Sequence, residues 1–253
     1  MSAWSSEVGE DCNLDSATTR VYNSIDDMIE EIKTYPISKI TMPVGNDFMH
    51  FDNFQKRTTS GMHQLDADQR YGAVYLAALR CLSYMVERAL EFCDEIELLY
   101  VPGNHDYTAS FGLCVALAER FRNDPRVISD LTSNPRKYRT HGGTLIGFHH
   151  GNGIKATSYP VLVATESKEL WATSTCREMH IGHTHQKREV VYHALTPTNG
   201  ITIRTQPSLS ATDAWHHSHG YTGEPLKSVE AQRYDKTGLK GTHVAFARDD
   251  SRK

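Results

Sequence analysis

An apolar run from Ile96 to Val101 ends in Pro102-Gly103, then Asn104-His105-Asp106, ahead of a helical pattern from about Ser110 to Phe121. Strand, tight turn and helix in that order make the repeating unit of an α/β chain. The order also sets three polar side chains at a strand's carboxyl end, where open α/β sheets bind ligands. The amide oxygen of Asn104 and the carboxylate of Asp106 offer oxygen to a metal, and His105 offers nitrogen or a proton.

At 253 residues the chain is long enough for one large α/β domain with a real core. The formal charge of -4 advertises no global affinity for nucleic acid and leaves a local patch open. Fourteen His, several of them clustered, are the one compositional hint of metal chemistry. Cys12, Cys81, Cys93, Cys114 and Cys176 are scattered with no CxxC spacing. Neither a thiolate zinc site nor a disulfide framework is indicated, and thiols in a reducing cytoplasm are expected. No apolar run near 18 residues and no charged-then-apolar amino terminus occur, so neither a membrane span nor a secretory signal is expected.

Residues 1–22 are polar and weakly patterned, and Ser24 reads as the cap of a short helix bearing Ile25, Met28, Ile29 and Ile32. Ile37 to Val44 reads as a strand, and residues 66–92 as a long helix with one buried face. Val127 to Ser129 is a short strand. Lys137 to His141 and Thr144 to His149 form a hairpin around Gly142-Gly143. Pro160 to Trp171 reads as a helix, while Glu178 to Ile181, Val190 to Ala194, Ile201 to Thr205 and His243 to Ala247 read as strands. The order favours a single α/β domain over 1–253, with an antiparallel second half and residues 206–253 as its carboxyl-terminal extension.

Within this pattern a strand candidate ends four times in a short glycine-containing loop with metal-type ligands: GND (45–47), GNHD (103–106), HHG (149–151) and GHTH (182–185). A lone Asp or His in such a loop is more often a cap or a solvated group. Four such loops together point to one site. Carboxylate, amide oxygen and imidazole without thiolate suit Mn, Fe, Zn, Mg or Ni rather than structural zinc.

On these loops the chain resembles the calcineurin-like metallophosphoesterases over most of residues 37–205, and in wording the phage and bacterial DNA-repair-exonuclease-like branch. The resemblance implies a two-sheet β-sandwich flanked by helices, with divalent metal ions, manganese foremost, at the strand ends. Carried over, Asp47 bridges two metals, Asn104, His150 and His183 bind the second metal, and His185 binds the first. His105 contacts the phosphate and protonates the leaving oxygen, with Asp106 orienting it. The family's D-x-H, which would complete the first metal, has no match before Gly45 and would fall just upstream of Met1. On residues 1–253 alone the expectation is a mononuclear or weakly loaded site. Asn46 enlarges the usual GD to GND, and His50 stands where the family has a second Asp.

Around these loops, His149 is expected to point away from His150. His50, Trp215 and His216 are candidates for the substrate side, with Trp215 able to stack on a base. Arg57, Arg136, Lys137, Arg139, Lys187 and Arg188 could lie near a phosphate backbone, although charge runs are usually solvated faces. The leading expectation is a cytoplasmic metal-dependent phosphodiesterase or nuclease acting on nucleic acid or a nucleotide, compatible with a homodimer. A phosphomonoesterase or protein phosphatase is the alternative on the same fold. A catalytically impaired metal- or nucleic-acid-binding protein is the alternative from another class.

Overall fold

The computed structural model describes residues 13–49, 51–57, 70–183, 195–198, 200–210 and 227–248. Among these the chain is mixed α/β, with helices and several sheets. Strands β1 (Ile37–Gly45), β2 (Cys93–Val101) and β3 (Val127–Asp130) form a parallel sheet in the order β1-β2-β3. Helices α2 (Tyr71–Ala89) and α3 (Tyr107–Arg120) connect them, as parallel strands require. A second sheet has the order β4-β5-β6-β8-β7, from β4 (Lys137–His141), β5 (Thr144–His149), β6 (Cys176–Ile181), β7 (Leu195–Thr198) and β8 (Ile201–Thr205). Between β5 and β6 lie α4 (Tyr159–Glu166) and α5 (Lys168–Thr173). Helix α1 (Leu14–Ile32) packs on an antiparallel pair, β9 (Ser228–Asp235) and β10 (Gly238–Phe246), through Met28, Ile32 and Ala245.

Alternation along β2 shows how the layers stack. Ile96, Leu98 and Tyr100 join the core beneath α2 and α3 with Val74, Val86, Leu113 and Leu117. The intervening Leu99 and Val101 pack instead on Ile146 and Phe148 of β5. The opposite side of the second sheet, through Leu145, Met179, Ile181, Ile201 and Ile203, buries Tyr159 and Val163 of α4. The two sheets therefore meet through β2 and β5, and α2, α3 and α4 cover their outer faces. Among the described residues no helix is long and apolar enough to cross a membrane.

Several expectations are corrected. Helix α1 begins at Leu14, not near Ser24: Asn13 caps it, its Oδ1 accepting from Ser16 N at 2.8 Å. Arg20 and Asn23 are buried on it because distant carbonyls satisfy them, Leu209 O at 3.3 Å and Arg248 O at 3.2 Å. Tertiary partners thus hide a helix that hydropathy alone does not show. Helix α3 starts three residues before Ser110, directly after the GNHD loop. The expected helix 160–171 is two helices broken at Ser167, whose Oγ donates to Val163 O at 2.7 Å. The second half is mixed rather than antiparallel, since β5–β6 and β6–β8 pair in parallel. The cause in the first case is the crossover through α4 and α5. Strands β7 and β9 have no counterpart among the expected strands, and β10 starts five residues before His243. The strand expected at 190–194 and the start of the helix expected at 66 lie outside the described residues.

Candidate metal centre

Strand pairing delivers the loops to one place. Asn46 N donates to Val101 O at 2.8 Å, which ties the end of β1 to the end of β2. Gly182 N donates to His150 O at 2.8 Å, which ties the end of β6 to the end of β5. With β2 packed on β5, four strand ends open onto a common volume.

The backbone turns sharply there. Gly45 has φ 102°, and a Cβ at that position would stand 2.5 Å from Val101 O, so only glycine fits. Asn46, Asp47 and His183 hold φ of 56°, 65° and 64°. Left-handed backbone costs a non-glycine residue about 1–3 kcal/mol and gathers where function requires it. At Gly103 a Cβ would lie 2.1 Å from Asp47 Oδ1 and 2.7 Å from Asp106 Oδ1, so the missing side chain is the room that Asp47 occupies.

Three groups converge on His150 Nε2. Asp47 Oδ2 lies at 2.9 Å, Asn104 Oδ1 at 2.7 Å and His183 Nδ1 at 3.1 Å. The donor atoms of Asp47, His150 and His183 all lie within 4.8 Å of one another, and these residues form a group able to hold a metal ion. On the far side of the ring, His150 Nδ1 lies 2.6 Å from Asn46 Oδ1. An amide or carboxylate oxygen only accepts, so each ring nitrogen of His150 faces an acceptor, Asn46 on one side and Asn104 with Asp47 on the other. Carboxylate, amide oxygen and two imidazole nitrogens meet at one point. A divalent cation there, in place of a proton on Nε2, would take them together as ligands.

The electrostatics agree. Burial would raise the Asp47 carboxyl, but the hydrogen bond and charge of His150 and the His105 amide hold it below the usual range. The amide bond, His105 N to Asp47 Oδ1, is 2.8 Å long. Burial and then the neighbouring His150 lower His183. Ionised carboxylate and neutral imidazole are the forms that bind a metal.

The remaining candidates divide as follows. His105 stands partly exposed beside the cluster, its amide on Asp47. Asp106 is fully buried, and its Oδ2 accepts from Met49 N at 2.9 Å. That oxygen is tied to the β1 loop, and burial and then the charge of Asp47 push the carboxyl up to about 7. His149 turns to the opposite face, with Nδ1 2.7 Å from Tyr159 Oη and 3.1 Å from Gly151 N. His50, His185, Trp215 and His216 lie outside the described residues, as do Lys187 and Arg188. Three of the cations considered for phosphate contact are committed elsewhere. Arg136 pairs with Glu166, and Arg139 with Glu97 and Asp130. Lys137 is buried on Asp130 and Thr132.

Two contributors have no clear mark in the sequence. Asn46, in local terms only an enlargement of the loop, holds His150. Asp52 Oδ1 accepts from Ala109 N at 2.7 Å and caps α3 in place of Asp106. A second Asp so soon after the GND loop is the available signal for Asp52. No family model, curated protein or solved structure matches this chain.

Proposed function

We propose that the protein is a metal-dependent phosphoesterase, a phosphodiesterase or nuclease that hydrolyses phosphodiesters of nucleic acid or a nucleotide. The observation that carries this reading is the convergence of Asp47, Asn104 and His183 on His150 Nε2, with His105 next to Asn104. The resemblance of the GND, GNHD, HHG and GHTH loops to calcineurin-like metallophosphoesterases supports it. So does the stacking of two sheets under outer helices, the layering that family's sandwich would have. The resemblance points to manganese, and the mixed oxygen and nitrogen donors also suit Fe, Zn, Mg or Ni.

A divalent ion bound there supplies Lewis acidity and a water of lowered pKa. The chain's own residues do the rest. Asp47, Asn104, His150 and His183 fix the ion's place. The His105 amide keeps Asp47 turned toward it. The His105 ring, on the open side, donates a hydrogen bond to the phosphoryl oxygen and gives its proton to the departing alkoxide. Asp106 holds the β1 loop through Met49 N and so keeps GND and GNHD in register.

Manganese-loaded protein should hydrolyse bis(p-nitrophenyl) phosphate faster than p-nitrophenyl phosphate; the reverse order would favour a phosphomonoesterase. His105→Ala should lower diester turnover about 10²- to 10⁴-fold, the usual worth of a general acid, with metal content unchanged. Undiminished turnover in that variant would remove His105 from the mechanism. Metal binding with no hydrolysis of either ester would favour a binding protein.

A further inference from the structure

We infer that Tyr100, Tyr107, Thr108, Phe111 and Ser133 form a subsite for one unpaired base of a single-stranded nucleic acid, stacked on the Tyr107 and Phe111 rings. The choice of ligand rests on the phosphodiesterase reading and narrows its substrate to a strand whose bases are free to stack. These five residues line a cavity of about 160 Å³. A cleft for a whole small ligand runs to roughly 300–1,000 Å³, so this one takes a single ring system.

Topology sets the cavity on the same edge as the metal loops. Strands β2 and β3 run parallel, with Leu99 opposite Asp130. The GNHD loop and Ser133 therefore both lie past the carboxyl ends of neighbouring strands, the edge on which such a sheet takes its ligands. Tyr107 follows His105 by two residues. With consecutive Cα atoms 3.8 Å apart, those two Cα atoms stand at most about 7.6 Å apart. A strand whose phosphate meets His105 has an adjoining base within reach of the cavity.

The cavity presents flat rings that are already fixed. Tyr107 is 46% and Phe111 39% exposed, although α3 packs on the core. Four residues apart, they share one face of α3. Helical side chains lean toward the helix N-terminus, so Phe111 lies over the turn that carries Tyr107, on the GNHD side. Tyr100 is buried and stands edge-on to Phe111, with ring centroids 5.4 Å apart at 65°. Its Oη donates to Tyr107 O at 3.1 Å, which ties the first turn of α3 to β2. The shelf thus needs no rearrangement to receive a base. Every base has a π-face for such rings, and the hydroxyls of Thr108 and Ser133 offer hydrogen bonds to its edge.

The test compares two fluorescein-labelled oligomers by anisotropy at one salt concentration: oligothymidylate, and the same backbone carrying tetrahydrofuran abasic residues. Metal-free protein is used so that neither strand is cut. Wild type should bind oligothymidylate the more tightly. Tyr107→Ala and Phe111→Ala should each lower that affinity about 5- to 150-fold, the worth of one stacked base, and should lower the abasic oligomer's far less. Tyr107→Phe and Phe111→Tyr keep a ring and should stay within a few-fold of wild type. Equal wild-type affinity for the two oligomers, or equal losses on both in the alanine variants, would overturn the inference. Manganese-loaded wild type is then given oligothymidylate. If the base preference holds and the strand is not cut, the subsite stands and the phosphodiesterase reading fails.

Discussion

Asp47 reaches the centre because Gly103 has no side chain. Its Oδ1 lies 2.1 Å from where a Cβ would stand. Neither Asp47 nor the β2 turn can retreat, since Asn46 N is bonded to Val101 O and His105 N to Asp47 Oδ1. Gly103→Ala should therefore abolish tight metal binding, measured as bound manganese per chain after gel filtration, and lower the thermal midpoint. Full loading in that variant would mean the turn can shift aside, and the close approach would not matter. Asp47, Asn104, His150 and His183 are readable in the sequence because each ends an apolar run within a glycine loop. Asn46 is not, because its partner His150 comes from another strand and local pattern cannot show that pairing. The Arg136, Lys137 and Arg139 cluster misleads for the same reason: its acidic partners Glu166, Glu97 and Asp130 arrive from other elements.

Helix α3 carries the GNHD loop into the fold, and its first turn is an exchange between two Asp residues. Asp106 occupies the N-cap position but gives its side chain to Met49 N. Asp52 supplies the missing cap on Ala109 N. Asp52→Ala should cost about 1 kcal/mol, as loss of a capping oxygen does, read as a lower urea midpoint with an unchanged slope. A change below a few tenths would mean that another group caps the helix. The strands that end in the site are visible as short apolar runs before glycine. Strand β9 is not, because its sequence SVEAQRYD is polar and its place is set by partners. Tyr234 reaches Glu178 at 2.7 Å, and Met28 and Ile32 of α1 pack on the β9–β10 pair.

Across the whole molecule, the inner face of the second sheet carries a buried polar group that joins β6, β8 and β9. Glu178 Oε2 accepts from Arg204 Nε at 3.1 Å and from Tyr234 Oη at 2.7 Å, with His180 Nε2 at 3.5 Å. Burial alone would raise this carboxyl, but His180, Arg204 and Tyr234 hold it down at about 2. Its folded value lies below the ordinary Glu value of about 4.3. Its contribution to stability is therefore complete above that value and drains away as pH falls toward 2. Chemical denaturation between pH 5 and pH 2 should show this loss in wild type and a shallower one in Glu178→Gln. At neutral pH that variant should already be weaker by about 3–5 kcal/mol, since Arg204 is left buried without its partner. Parallel curves for the two proteins would assign the acid sensitivity elsewhere. The α/β class follows from the order of strands and helices. The mixed pairing of the second sheet does not, because parallel and antiparallel neighbours share the same apolar alternation.

The proposed function requires that four strand ends hold a divalent ion between Asp47, Asn104, His150 and His183. The direct measurement is anomalous diffraction at the manganese edge from crystals equilibrated with Mn²⁺. A peak within coordination distance of Asp47 Oδ2, Asn104 Oδ1, His150 Nε2 and His183 Nδ1 is the predicted result. A density map with no anomalous peak among those atoms, in a protein whose fold is otherwise as described, would contradict it.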